Sequence, residues 1–171
     1  MFSLSTAGAA LAAEEFTIVT KTVESEDIDV DDDGEFSAGD QSVFSDDIEG
    51  FKFKEFGKND DGKNDDGKND DHKNDDGKND DGKIGTVGGV CTATRVDSDD
   101  DFQTECQVIY DLPKGQIITK ALLDEDDFDE GEFKAAIIGG TGLYKNASGE
   151  ALVELTDDGS EVTFRIDLNE G

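Results

Sequence analysis

Several of the residue types that carry chemistry are scarce in this chain. Tryptophan is absent, and 171 residues include one proline, one histidine, one methionine and two cysteines. The lone His72 lies inside a repeat that cannot fold, so nucleophilic catalysis of the Ser-His or Cys-His kind is excluded. No stretch approaches the ~20 apolar residues of a membrane span. Bases are few: 15 Lys and Arg stand against 45 Asp and Glu, for a net charge of −30. So negative a surface repels nucleic acid and anionic membrane, and neither is expected as a partner. Three readings of the acidity stand side by side: a solvated surface suited to salty surroundings, divalent cation binding, or plain solubility.

What is present first is a repeat. Five copies of Lys-Asn-Asp-Asp-Gly run from Lys58 to Gly82, the third with His72 in place of Gly. The tract has no apolar residue to bury, so nothing offsets the entropy of ordering it. Residues 58–83 are therefore read as a flexible acidic loop. As a calcium loop each interior repeat fails, because the first ligand position five residues before its Gly is Gly, or His72 before Gly77, and not an oxygen ligand. The remaining residues suit one domain, 15–171, closed across the repeat. Residues 1–14 are small and apolar, and Ala10-Leu11-Ala12-Ala13 before Glu14 resembles the end of a secretory signal. They are a signal remnant or an N-terminal arm.

The pattern outside the repeat is all-β. Apolar and polar residues alternate in short runs broken by Gly, Asp and Asn. Strands are predicted at Glu15–Val23, Gln41–Phe51, Ile84–Val96, Phe102–Asp111, Gln116–Leu123, Glu132–Ile138, Glu150–Leu155 and Glu161–Leu168. Along them Thr104, Cys106, Val108 and Tyr110 share one face, as do Phe133, Ala135 and Ile137, and Val162, Phe164 and Ile166. Eight strands with one apolar face suit a sandwich or a closed barrel whose interior is packed or holds one small ligand.

Three local features carry chemistry or geometry. Asp29, Asp31 and Asp33, followed by Gly34, Phe36 and Asp40, have the spacing of a calcium loop, and these first three acids are the candidate metal ligands. The flanks read as strand rather than helix, and in so acidic a chain the solvated reading competes. Cys91 and Cys106 flank an acidic turn, Asp97 to Asp101. If that turn closes a hairpin they oppose one another, as a disulfide or as two buried thiols; a disulfide would point to an oxidising, extracellular setting. Gly139-Gly140-Thr141-Gly142 is too short for a dinucleotide site and has no helix after it. It reads as a backbone corner at a barrel rim.

The segment Gly139-Gly140-Thr141-Gly142-Leu143-Tyr144 through Ala147-Ser148-Gly149 resembles a signature of the dirigent and allene oxide cyclase superfamily. Gly39-Asp40-Gln41-Ser42-Val43-Phe44, Ile84-Gly85 through Gly88-Gly89-Val90-Cys91, Gly115-Gln116-Ile117 and Val162 through Leu168 resemble further motifs, in the family's order. The resemblance spans about Glu15 to Leu168. It implies an eight-stranded antiparallel β-barrel with a central cavity for a small hydrophobic molecule, often assembled as a trimer, with the repeat inserted between strands two and three. Plant allene oxide cyclases carry a Pro where this chain has Val43, and a carboxylate and an amide on a first strand that here reads Thr17-Ile18-Val19-Thr20-Lys21-Thr22. Their Cys matches Cys91. These departures argue against cyclisation of a fatty-acid epoxide.

Two function classes and a bland third follow. One is a dirigent-like barrel that binds a hydrophobic ligand and orients it without transforming it, with Thr104, Tyr110, Thr119, Phe133 and Tyr144 as the lumen residues. The second is an isomerase or cyclase, in which confinement promotes ring closure and Asp40, Tyr110 or Glu132 assists. The third is a secreted acidic protein with a packed core. No cofactor is implied, and calcium is the one ion the acids suggest.

Overall fold

A computed structural model describes residues 14–53, 82–98 and 101–168. The N-terminal segment and the repeat, with His72, lie outside the described residues. Eight strands follow in order: β1 (Glu14–Ile28), β2 (Gln41–Phe53), β3 (Gly85–Ser98), β4 (Asp101–Leu112), β5 (Gly115–Asp124), β6 (Glu132–Gly140), β7 (Ala147–Thr156) and β8 (Gly159–Leu168). A six-residue helix, α1 (Glu125–Glu130), joins β5 to β6. Each strand pairs antiparallel with the next, and β1 pairs with β8, so the sheet closes into an eight-stranded antiparallel barrel. Residues 54–81 fall between β2 and β3, as an insertion there requires.

Alternation decides what lies inside. In β8, Val162, Phe164 and Ile166 are buried at 1 % exposure or less, while Arg165 between them reaches Glu15 and Glu150 on the outer wall. Closure needs curvature, and register shifts supply it in the β1–β2, β3–β4 and β5–β6 ladders. The glycine corner has the expected role. Gly142 has φ 60°, and a Cβ there would strike the Lys114 carbonyl oxygen, so only glycine lets the β6–β7 connection lie against the β4–β5 turn.

β1 runs beyond the predicted Val23 to Ile28. Its second half pairs with Gln41–Ser45 but is exposed, so backbone pairing holds it and no apolar alternation marks it in the sequence. Helix α1 is short, with a reciprocal capping box between Asp124 and Asp127 and a left-handed Gly131 at its end.

The two ends of the barrel differ. At one end Phe16, Ile48, Leu112, Ile117, Tyr144 and Phe164 form a solid core. Ring centroids of Phe16 lie 5.1 Å from Phe164 and 6.2 Å from Tyr144. Phe53 and Gly82, the described residues on either side of the repeat, belong to this closed end. The other end is bounded by the β1–β2 connection, the β3–β4 hairpin, α1 and the β7–β8 turn, and it is hollow.

Candidate functional site

The hollow half is a cavity of about 250 Å³ walled mainly by apolar side chains. Val87, Val108 and Val153 line it from three strands, and Phe44, Tyr110 and Phe133 supply rings. Small residues make the space: Ala121 and Ala135 face inward where the closed half has Ile117 and Ile137. Gly89 is small for a second reason. It pairs with Phe44 across the β2–β3 ladder, and the Phe44 ring lies where a Cβ would stand. Cys91 and Cys106, directly opposed in the β3–β4 ladder, are joined as a disulfide with Cα atoms 4.0 Å apart, and both border the cavity.

Tyr110 stands between core and cavity. Its ring meets Phe164 edge-on at 5.0 Å, and the residue is 3 % exposed. Burial raises the phenol pKa; the Thr119 hydroxyl opposes this and the Asp46 carboxylate adds to it. The group therefore stays a neutral phenol at ordinary pH.

Asp46 is the charged group of the cavity, and sequence reasoning missed it. It is 6 % exposed. Oδ2 accepts a hydrogen bond of 3.1 Å from the Thr20 hydroxyl, while Oδ1 is buried and accepts none. Burial raises its carboxyl pKa above the ordinary range; the Thr20 hydrogen bond opposes the rise, as does the Thr22 hydroxyl, which lies near the carboxylate without meeting Oδ1 in hydrogen-bond geometry, and Asp47 adds to it. Asp46 lies on β2 between Phe44 and Ile48, on the inward face. That period-two position is the signal that could have found it.

Of the residues singled out from sequence, Tyr110, Thr119 and Phe133 meet around the cavity. Thr104 is buried on the same face of β4 but does not border it. Tyr144 is buried in the closed end beside Phe16. Glu132 is exposed at the start of β6. Asp40 is buried, but its oxygens accept from Val30 N–H at 2.8 Å and Ser37 N–H at 2.7 Å, pinning the β1–β2 connection.

The calcium-like loop is organised by the same kind of bond. Asp29 accepts from the amides of Asp32 and Gly34, both at 2.7 Å, and Asp33 accepts from Glu35. Oxygens of Asp29, Asp31 and Asp40 lie within 4.8 Å of one another, whereas Asp33 stands outside this group. Asp31 is pushed up by burial and by Asp33 and Asp29, while Asp29 is held down chiefly by the Gly34 amide.

The mouth is aromatic and acidic. Phe36 from the β1–β2 connection meets Phe102 edge-on at 5.6 Å, and Phe102 meets Phe128 of α1 at 5.9 Å. Phe128 borders the cavity. Residues 29–40, 125–131 and 157–158 contain no lysine, arginine or histidine, and α1 itself has five acids in six residues. Arg95, at the end of β3, is held by Asp97 at 3.2 Å and Asp101 at 2.7 Å. Lys83, Lys114 and Lys145 lie in connections at the closed end.

A family model for the allene oxide cyclase barrel-like domain matches residues 56–168. The chain belongs to this family. No curated protein matches the sequence. Among solved structures, a pyocyanin demethylase is similar over 89 % of this chain and 98 % of its own, with 25 % identity and a TM-score of 0.60. An exo-specific intermolecular Diels–Alderase is similar over 92 % of this chain and 96 % of its own, at 13 % identity and a TM-score of 0.56. A pterocarpan synthase dirigent protein is similar over 97 % of this chain and 94 % of its own, at 14 % identity and a TM-score of 0.51. The last two likenesses concern the fold. Among the described residues no helix is long and apolar enough to cross a membrane.

Proposed function

We propose that this barrel holds one small hydrophobic molecule in its hollow half and fixes the orientation in which that molecule reacts. The observation that carries this is the contrast within one interior: tightly packed rings and Ile side chains at one end, and about 250 Å³ of apolar-walled space at the other. Packed interiors seldom leave voids larger than a water molecule. A concave apolar space with a few convergent polar groups is what a ligand pocket looks like. The polar groups here are Asp46, Tyr110 and Thr119, with the hydroxyls of Thr22, Ser25 and Ser160. The disulfide supports an extracellular setting, because such bonds persist in oxidising compartments.

N-phenyl-1-naphthylamine, a neutral fluorescent probe, tests the reading. Saturable one-to-one binding is expected, and Ala121→Phe, which fills the space, should abolish it while the thermal melt stays cooperative. Binding that survives the filling variant would refute a lumen site.

A second reading, an isomerase or cyclase, is favoured by Asp46. A partly desolvated carboxyl beside a bound molecule can give or take a proton, and confinement supplies the alignment. Turnover that is lost in Asp46→Asn while the probe still binds would favour this reading over orientation alone.

A further inference from the structure

We propose that the molecule taken up by the lumen is a cationic amine on an aromatic or similarly flat apolar body, its N–H donated to Asp46 Oδ1. This rests on the lumen being a ligand site and names the chemistry that site selects.

Three independent features lead there. The first is the unpartnered oxygen. Asp46 is 6 % exposed, borders the cavity, and has one oxygen bonded by Thr20 and the other buried without a donor. Buried acceptors of this kind are rare in native interiors unless something else satisfies them. A donor brought by the ligand would do so, and a charged N–H makes the stronger bond.

The second is the composition of the wall. Among the described lining residues there is no lysine, arginine or histidine, and Asp46 is the one carboxylate. An anion brought into this space would find no counter-charge and one repelling group. An ammonium group would find its counter-charge in place, with the rings of Phe44, Tyr110 and Phe133 for the apolar body and for cation–π contact.

The third is the field at the mouth. The connections around the open end are strongly acidic, while lysines sit in the connections at the closed end. Among the described residues, only Arg95, taken up by Asp97 and Asp101, and the exposed Lys21 next to the β7–β8 turn stand beside the open end. A rim of strongly negative net charge on a low-dielectric cleft concentrates counter-ions and speeds their capture. Rim and lumen therefore select for the same sign, and they reject the carboxylate of a fatty acid.

Three probes share one ring system and differ in charge: 1-naphthylmethylamine, an ammonium ion at neutral pH; 1-naphthylmethanol; and 1-naphthoate. Binding to the full chain is followed by their own fluorescence in about 0.5 M NaCl, where attraction to the outer surface is screened. The amine should bind at least about tenfold tighter than the alcohol, and the carboxylate should not bind measurably. In Asp46→Asn the amine should fall to the affinity of the alcohol, while alcohol binding persists and shows the cavity intact. Equal affinity for amine and alcohol, measurable binding of the carboxylate, or an amine preference that survives Asp46→Asn overturns the inference and leaves the lumen reading standing. Failure of all three probes to bind overturns the lumen reading and the inference with it.

Discussion

Replacing Asp46 by Asn should make the ligand-free protein more stable, and the gain should depend on pH. The carboxylate is buried; one oxygen is satisfied by Thr20 at 3.1 Å and the other has no donor. An unsatisfied buried polar group costs about 1–3 kcal/mol, and an ionised one lies toward the upper end. Asn keeps the shape and the acceptor for Thr20 and removes the charge, but its amide NH2 then stands where Oδ1 stood, so only part of the cost is relieved and a gain of about 1 kcal/mol near neutral pH is expected. For a domain of this size that is a rise of roughly 2–4 °C in Tm. The sign follows from linkage. In the unfolded chain Asp46 ionises near its ordinary value of about 3.9, whereas in the fold burial holds its pKa higher. As pH rises through about 3.9 the unfolded state of the wild type gains from ionisation before the folded state can, so wild-type stability falls relative to the variant. The gap widens until pH passes the raised folded value and is then constant. At the acid end both side chains are neutral and the gap should close. Denaturant melts of the two proteins between about pH 3 and 8 measure it, and taking the difference cancels the shared relief of negative charge at low pH. A variant less stable than wild type at neutral pH, or a gap that does not change with pH, would refute the claim that Asp46 is a strained buried carboxylate.

Three other outcomes are expected. Phe164→Ala, at 0 % exposure in the solid half, should cost about 3–5 kcal/mol, whereas Phe133→Ala on the cavity wall should cost clearly less, because its site already adjoins a void; paired denaturant melts decide this. Opening the Cys91–Cys106 bond, with a sequence separation of 15, should cost at most about 3 kcal/mol, read as the drop in denaturation midpoint on adding reductant. Excising residues 58–81 should leave probe affinity unchanged, since Phe53 and Gly82 lie at the end opposite the mouth, and a loss of affinity would contradict the assignment of the open end.

The fold was legible because its signals are local and redundant. Strand order, eight-fold count and closure follow from alternation within each run together with family motifs such as Gly139 to Tyr144, and the structure shows why those glycines are needed at the corner. Boundaries were legible only where packing sets them. The end of β1, Glu24 to Asp27, is polar on both faces and held by ladder bonds to Ser42–Ser45, so no hydrophobic period announces it. The opposition of Cys91 and Cys106 required only that their turn close a hairpin. Asp40 shows the reverse: a conspicuous acid in a motif, in a chain full of acids, whose oxygens are taken by the amides of Val30 and Ser37.

Asp46 was within reach of the sequence and was hidden by its company. Once Phe44 and Ile48 are placed inside β2, a period of two places Asp46 inside as well. Its neighbours Asp47 and Glu49 make the stretch look like one more acidic surface run. What no alternation rule could supply is the difference between inward and hollow. Phe16, Ile117 and Phe164 point inward and meet; Thr119, Ala121 and Ala135 point inward from the same kind of strand and leave space. Whether an inward position is core or cavity depends on the summed side-chain volume of all eight strands at one height along the barrel, and that sum needs the registers between strands as well as the pattern within each. A carboxylate at the solid height would have to be expelled or neutralised. At the hollow height it can stay, provided that something else brings the proton donor it lacks.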